Sequence, residues 1–306
     1  MAAYLAQRIF QTMLILLGIA AITFLLLYMV PADPAVQIAG RSATAQTVAN
    51  IRRELGLDQP LLTQFQRYLG GLLHGDLGRS YAQKTDVMTL ILSRLPATIT
   101  LMIAGIAAEL AIGVTLGVIA AVRRNSFLDR AVMIASFTTI SAPQFLVALL
   151  LLYVFAATLG WFPMSGFGGP AHVVLPALTL GILGAGWYAR IVRSTMIDVL
   201  NQDYVRTAKA KGVAPVRVVL RHALPNALLP VIAMIGIDIG QFMAGLVVVE
   251  AVFGWPGIGQ LAWQAIQQVD IPIIMGVTLT SALAIVLGNL VADFIAPFID
   301  PRIRAQ

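Results

Sequence analysis

Long apolar runs alternate with short polar connections along most of this chain. The runs lie near residues 9–30, 96–122, 131–159, 173–194, 227–252 and 271–297. Each run has about 20 residues or more, which is the length that an α-helix needs to cross the hydrocarbon layer of a membrane. The pattern therefore predicts an all-α polytopic membrane protein with six transmembrane helices. Pro143, inside the third run, is expected to kink its helix.

Residues 31–95 have a different pattern. Apolar residues recur at helical spacing within 44–57, with charged residues between them, until Gly56 ends the pattern. A second amphipathic stretch runs from Leu61 to Leu73. We expect an external helical segment here, either a cap packed on the membrane face or a contact site for an external partner. The expected organisation is a tail and first span (1–30), this segment (31–95), a five-span core (96–300) and a tail (301–306).

The composition and the distribution of charge support a membrane location. The chain is 59% hydrophobic and 11% charged, with a formal net charge of +6. Thirteen of its 20 Lys and Arg residues lie before the first run, in 123–130, in 190–221 or at the C-terminus, whereas 160–172 and 253–270 contain none. Basic connections stay in the cytoplasm, so we expect both termini to be cytoplasmic and 31–95 to be external. Nucleic-acid binding is not expected, because the basic residues are not interleaved with aromatic ones.

The most basic connection, 195–225, also has helical organisation. Asp203 is suited to an N-cap, and Gly212 is suited to the left-handed position that ends a helix. Pro215 can begin a second short helix. The sequence therefore predicts a compact cytoplasmic projection of two short helices. We expect small Ala208 and Ala210 to let a partner approach closely, with the charged side chains around them.

This projection resembles the cytoplasmic coupling motif of ABC importer permeases, which reads E-A-A, three residues, Gly, nine residues and I-x-L-P. Arg206-Thr207-Ala208 occupies the first triplet, Gly212 the glycine, and His222-Ala223-Leu224-Pro225 the end. The glutamate and the isoleucine are replaced, but D-Y-x-R-T-A-x-A-K-G is the form typical of dipeptide, oligopeptide and nickel permeases. PADPAVQIAG (31–40), VVVEAVFGWPGIGQL (247–261) and DPRIR (300–304) are similar to the same family. The chain most resembles the dipeptide-permease B type.

The resemblance implies a type I ABC importer permease of the bacterial inner membrane, which is not an enzyme. Its expected partners are a homologous second permease, two ABC ATPase subunits that hold ATP and Mg²⁺, an external solute-binding protein and membrane lipid. The chain has no G-x-x-x-x-G-K-[ST] phosphate loop, so no cofactor of its own is expected. The expected solute is a di- or oligopeptide, with nickel, glutathione or haem as alternatives. The expected contacts with the ATPase are Asp203, Tyr204, Arg206, Thr207, Ala208, Lys209, Ala210, Lys211 and Gly212.

Asp238 is the candidate for the translocation path. It lies near the middle of the fifth run, where helical spacing puts Met234, Gln241 and Gly245 on its face. A carboxylate at mid-membrane costs about 2.5–3.5 kcal/mol on insertion scales, so it rarely faces lipid. Two interpretations stay open: a polar wall of the path that receives a peptide amine, or a buried carboxyl that pairs with a neighbouring subunit or is kept protonated.

Other polar residues of the spans are assigned structural roles. Glu109 stands in G-x-x-x-E-x-x-x-G-x-x-x-G, a spacing typical of close helix packing. Glu250 is expected to anchor a turn at the outer end of the fifth span. Asn289 and Asp293 are expected to bond a neighbouring helix. The three histidines lie apart in connections, so no metal site is predicted.

Two other classes of function are compatible with an apolar chain. A self-sufficient secondary transporter or channel would show internal repeats with paired broken spans, or several ionisable groups at mid-membrane. Here Asp238 alone is placed centrally by the pattern. A membrane enzyme would need paired carboxylates, a nucleophile with its base or a metal cluster at one level, which the sequence does not indicate.

Overall fold

The computed structural model describes residues 2–29, 34–40, 43–54 and 56–299, and the side chains within 10–25, 35–36, 38–40, 43–54 and 56–288. The predicted roles of Asn289 and Asp293, the 300–304 motif and the 301–306 tail lie outside the described residues.

The described chain is helical almost throughout, as the sequence predicted. An isolated bridge between Arg79 and Asp86 is the only β pairing in it. The helices are α1 (Ala2–Met29), α2 (Pro34–Ala39), α3 (Ala45–Glu54), α4 (Leu61–Leu73), α5 (Val87–Val122), α6 (Phe127–Ser141), α7 (Gln144–Leu151, continued by a π-helical turn Leu152–Thr158), α8 (Pro170–Leu200), α9 (Asp203–Ala210), α10 (Pro215–Arg217, continued by π-helical Val218–Ala223), α11 (Leu224–Ala227), α12 (Leu229–Met243), α13 (Val247–Val252), α14 (Ile258–Gln268) and α15 (Ile271–Ile299).

Long apolar helices and bent pairs make up the candidate spans of the described chain. Val87–Val122, Pro170–Leu200 and Ile271–Gly288 are each long and apolar enough to cross a membrane. The pair Phe127–Ser141 and Gln144–Thr158 is bent by 105° at Pro143, which confirms the predicted break. Residues Pro215–Ala227 and Leu229–Met243 form a second pair, bent by 52°. The count of six spans stays a prediction.

The chain divides into two compact units. The first comprises Met1–Thr98, Ala244–Val247 and Pro256–Val286. Its core joins the start of α5 to α14 and α15 through buried aliphatic residues such as Ile91, Leu261 and Ile273. The amphipathic helices α3 and α4 end as predicted, with Gly56 at φ +65° and Gly75 at φ +76°. Both conformations favour glycine, which explains why the two helices stop there.

A buried carboxylate in the first unit holds the loop that precedes α5. Asp270, which is buried, accepts a hydrogen bond of 2.5 Å from the Ser80 hydroxyl and one of 2.9 Å from the Ala82 backbone N–H. Its own backbone carbonyl accepts from Ile274 N–H in the first turn of α15. Asp270 therefore ties this loop to the start of the last helix.

The second unit comprises Ile99–Met243, Val248–Trp255 and Leu287–Gln306. Within it α5 and α8 touch almost backbone to backbone. A Cβ at Gly113 would lie 2.9 Å from the carbonyl oxygen of Ala185, and one at Gly117 would lie 2.7 Å from that of Ala189. These positions require glycine, so the close packing predicted around Glu109 is confirmed.

The fifth apolar run does not form one continuous helix. α12 ends at Met243, Gly245 has φ +111°, and α13 begins at Val247. A Cβ at Gly245 would also lie 3.0 Å from the Cα atom of Gly259. The prediction that Gly245 shares a helical face with Asp238 is therefore wrong, because the helix ends between them.

Candidate translocation and coupling sites

A cavity of about 200 Å³ lies in the second unit, between α5, α8 and α12. Three of the four predicted path residues, Met234, Asp238 and Gln241, line it from α12 at helical spacing. Gly245, beyond the end of that helix, does not. The cavity is lined by Glu109, Gly184, Trp187, Tyr188, Met234, Ile237, Asp238 and Gln241.

The polar side chains of this cavity are the carboxyls of Glu109 and Asp238, the Tyr188 phenol, the Gln241 amide and the indole of Trp187. The Tyr188 hydroxyl donates a hydrogen bond to Asp238 Oδ2. Glu109 is only 4% exposed, and its Oε2 has no hydrogen-bond partner among the described residues. Gly184 makes room for this carboxyl, because a Cβ there would overlap it. The sequence assigned Glu109 to helix packing alone, but the structure also brings it into the cavity with Asp238.

The cavity therefore offers one buried carboxyl oxygen without a partner in the described chain, Glu109 Oε2, together with the Asp238 carboxyl. A buried oxygen without a hydrogen bond is costly, and its cost falls when a cation or a hydrogen-bond donor enters beside it. A primary ammonium supplies a positive charge and three N–H donors, as a lysine side chain does. The geometry is consequently suited to the amine end of a small solute.

α8 also carries two arginines, Arg190 and Arg193, whose contacts the sequence did not predict. Arg190 lies over two aromatic rings, 4.8 Å from the centroid of Phe137 and 5.4 Å from that of Trp187. No ion pair involves it within the described part of the chain. Trp187 also lines the cavity, so Arg190 is a neighbour of the cavity wall.

Arg193, by contrast, is paired with a carboxylate. Its Nε and Nη2 atoms donate to the two carboxylate oxygens of Asp129 at 2.5 and 2.8 Å. Asp129 also accepts from Asn125 N–H at 2.9 Å, and its own N–H donates to the Ser126 hydroxyl that caps α6. The spacing of Ser126 and Asp129, an S-x-x-D capping signature, could have pointed to the acid but not to its partner.

The predicted coupling projection is confirmed in outline. α9 is followed by Gly212 at φ +73°, and Pro215 begins α10. The N-cap is Gln202 rather than Asp203, which is the first residue of the helix. Tyr204 ties α9 to α11, since its hydroxyl accepts a hydrogen bond of 2.8 Å from Asn226 Nδ2.

One detail of the projection differs from the prediction. Ala208 is buried against Val205 and Val218 of this chain, so it does not offer room to a partner. The amphipathic period of α9 turns it inward, together with Val205 three residues earlier. Ala210 and Gly212 are exposed, as are the charged residues Arg206, Lys209 and Lys211. No atom of the described chain lies within 4 Å of a Cβ built at Gly212, so only its backbone conformation requires glycine.

Glu250 lies in α13, just before the turn that the sequence indicated. It is fully buried, and its backbone carbonyl accepts a hydrogen bond of 2.8 Å from Trp255 N–H across that turn. Gly254 between them has φ +58°. The anchoring role of its side chain stays a prediction. Among the described residues no group of three His, Cys, Asp or Glu could hold a metal ion.

Comparison with protein families gives two matches that together span nearly the whole chain. Residues 113–305 match the family described as binding-protein-dependent transport system inner membrane component. Residues 1–102 match the N-terminal region of binding-protein-dependent transport system membrane components.

Individual proteins are similar over the full length. The chain is 42% identical to the glutathione transport system permease protein GsiC of Salmonella paratyphi A, with 99% of each chain covered. It is 41% identical to GsiC of Escherichia coli O6:H1, again with 99% of each covered. A Brucella abortus permease that is provisionally named for peptide transport is 39% identical, with 99% of each covered.

A solved structure has the same fold. The chain is similar to a chain of the MetNI methionine ABC transporter in an inward-facing conformation, with a TM-score of 0.58 and 20% identity. The match covers 69% of this chain and 97% of that one. At this identity the likeness concerns the fold alone.

Proposed function

The chain belongs to the binding-protein-dependent transport system inner membrane components, and from that premise we propose that it conducts glutathione or other short peptides into the cell. Members of this family are non-catalytic, multi-pass membrane subunits of ABC importers, which work with ATPases and a binding protein. Glutathione is itself a tripeptide, so one class of solute accommodates both kinds of relative.

The cavity that contains Glu109, Tyr188 and Asp238 is the observation that supports this class of solute. A peptide carries a free amine, which can donate to the unpartnered Oε2 of Glu109 and to the Asp238 carboxyl. Asp238 already accepts from Tyr188, so its position does not depend on the solute. A preformed acceptor site that orients one end of the ligand is what an amine-bearing solute requires.

Import can be measured with the complete transporter, purified with its ATPases and binding protein and reconstituted in liposomes. We expect ATP-dependent uptake of labelled glutathione or of a dipeptide. Asp238→Ala is expected to lower uptake per assembled transporter several-fold while the complex stays intact. A transporter that is fully assembled but moves neither solute would refute the proposed class.

We also propose the arrangement in which the chain works. Both termini and residues 195–225 face the cytoplasm, 31–95 is external, a homologous second permease completes the path, and two ATPases bind below. The coupling residues of α9 and Gly212 dock into one ATPase. The left-handed Gly212 turn supports this contact, because it exposes backbone with no side chain in the way.

The docking proposal has a matched control on the same loop. Gly212→Val adds a Cβ that disfavours the left-handed conformation by about 1–2 kcal/mol and enlarges the exposed turn. Lys209→Gln and Lys211→Gln remove only solvent-exposed charges, each worth about 0–1 kcal/mol. We expect Gly212→Val to reduce co-purification of the ATPase far more than either lysine variant. The reverse order would mean that the loop acts as an electrostatic patch.

A further inference from the structure

Arg190 is a cation in the apolar wall of the second unit that no carboxylate of the described chain neutralises. The faces of Phe137 and Trp187 hold it in place, but rings only partly offset a guanidinium charge, by about 0.5–2 kcal/mol. Ring contacts also leave the N–H groups of its fork available. A planar fork of this kind matches a carboxylate, which it binds with two parallel hydrogen bonds.

Helical geometry relates Arg190 to the acidic cavity. Successive residues of an α-helix are about 100° apart around its axis, so Tyr188 is displaced about 100° from Trp187 and Arg190 about 60° in the opposite sense. Trp187 therefore lies between them, and it is half exposed. The indole thus lines the cavity of Glu109 and Asp238, and the Arg190 guanidinium lies over its ring.

We propose that Trp187 is the floor of a subsite for a zwitterionic peptide, with the amine in the acidic cavity and a carboxylate on Arg190. This inference rests on the proposed function and specifies how that solute is recognised. Size supports the division into two ends. The cavity of about 200 Å³ is smaller than the roughly 300–1,000 Å³ of pockets that enclose a whole ligand. It holds the amine end of a peptide, and the remainder extends across the indole.

A single cysteine in the cavity wall tests the proposal, because the chain has no cysteine of its own. Ile237→Cys places a thiol on a residue that lines the cavity and is 61% exposed. The rate at which N-ethylmaleimide modifies this chain in the complete transporter is followed by mass spectrometry. The probes are trialanine and S-methylglutathione, which have no free thiol, together with N-acetyl-trialanine and trialanine amide.

We expect trialanine and S-methylglutathione to slow modification. Trialanine amide, which lacks the carboxylate, should need a concentration about tenfold higher or more, because it forgoes a charge-assisted pair. Arg190→Gln should raise the concentration of trialanine required to that of the amide and leave the amide unchanged. Arg190→Lys should lie between, since it keeps the charge without the fork. A cysteine at exposed Val216 serves as the control that no peptide should protect.

The outcomes separate this inference from the proposed function. If the transporter imports peptides but Arg190→Gln leaves the ratio of free acid to amide unchanged, the subsite is wrong and the function stands. If assembly is lost in Arg190→Gln but kept in Arg190→Lys, Arg190 pairs with a carboxylate of another subunit, and the subsite is again wrong. If the wild-type transporter imports no peptide at all, both proposals fail.

Discussion

Two charged regions meet α8 within two turns of each other and are satisfied to very different degrees. Toward its C-terminal end, Arg193 donates two hydrogen bonds to the Asp129 carboxylate, which also accepts one from the Asn125 backbone N–H. Around Tyr188 and Arg190, one carboxyl oxygen has no partner in the described chain and the arginine rests on rings.

We infer that the difference separates structural charge from charge available to a solute. Burying a charge is costly unless it is paired, so a charged group that stays buried normally makes its bonds within the protein. Both carboxylate oxygens of Asp129 already accept hydrogen bonds from the protein. By contrast, Glu109 Oε2 has no hydrogen-bond partner and Arg190 no carboxylate partner in the described chain, and under the proposed function a solute supplies both.

Breaking the satisfied region should have the largest effect. Asp129→Ala leaves Arg193 without its partner and removes the acceptor of the Asn125 N–H just before α6, which costs on the order of 3 kcal/mol. We expect a clear fall in the melting temperature of the purified transporter at a fixed heating rate. Asp129→Ala combined with Arg193→Gln should lose less than the sum of the single changes, because no unpaired charge remains. An unchanged melting temperature in Asp129→Ala would remove the structural side of the comparison.

Neutral isosteres in the cavity should leave stability nearly unchanged and lower uptake. Glu109→Gln and Asp238→Asn keep the shape of each side chain, so we expect the melting temperature to stay constant or rise, corresponding to about 1 kcal/mol or less. Uptake of glutathione or of a dipeptide by the reconstituted transporter should fall several-fold, since an amide does not attract an ammonium. A loss of stability as large as that of Asp129→Ala would assign the cavity to structure.

The smallest effect is expected from one of the rings beside Arg190. Phe137→Leu removes a cation–π contact worth about 0.5–1 kcal/mol and leaves the guanidinium otherwise in place. The concentration of trialanine that protects a cysteine at Ile237 should rise about two- to fivefold. Phe145→Leu is the matched control, because Phe145 is about as exposed as Phe137. Its ring makes no cation–π contact with an arginine in the described chain. Equal effects of both changes would show that the rings act only by filling space.

The helices and their ends were largely predictable from local pattern. Gly56 and Gly212 end helices because they themselves adopt the left-handed conformation that glycine favours, and Pro143 breaks the span that contains it. Such effects act over a few residues and leave a signature in sequence. The spacing of the glycines around Glu109 likewise predicted a close helix contact.

The site was predictable only in part, because its groups come together through tertiary structure. Asp129 and Arg193 are 64 positions apart, and Tyr188 and Asp238 are 50 positions apart. The break after Met243 was missed since residues 244–252 are as apolar as the helix before them. A glycine at φ +111° against the backbone of Gly259 sets that break, and hydropathy carries no information about it.

The contact between Ser80 and Asp270 can form only late in the synthesis of the chain. Ser80 and Asp270 are 190 positions apart, so the loop that precedes α5 is synthesised long before the carboxylate that holds it. At about 5–20 residues per second, that interval is roughly 10–40 s. During this interval the Ser80 hydroxyl and the Ala82 N–H hydrogen-bond to water instead of to the carboxylate. The loop gains this contact only when the start of the last helix has been made. A chain whose synthesis stops before Asp270 therefore lacks the carboxylate that accepts hydrogen bonds from Ser80 and Ala82, even when the earlier helices are inserted.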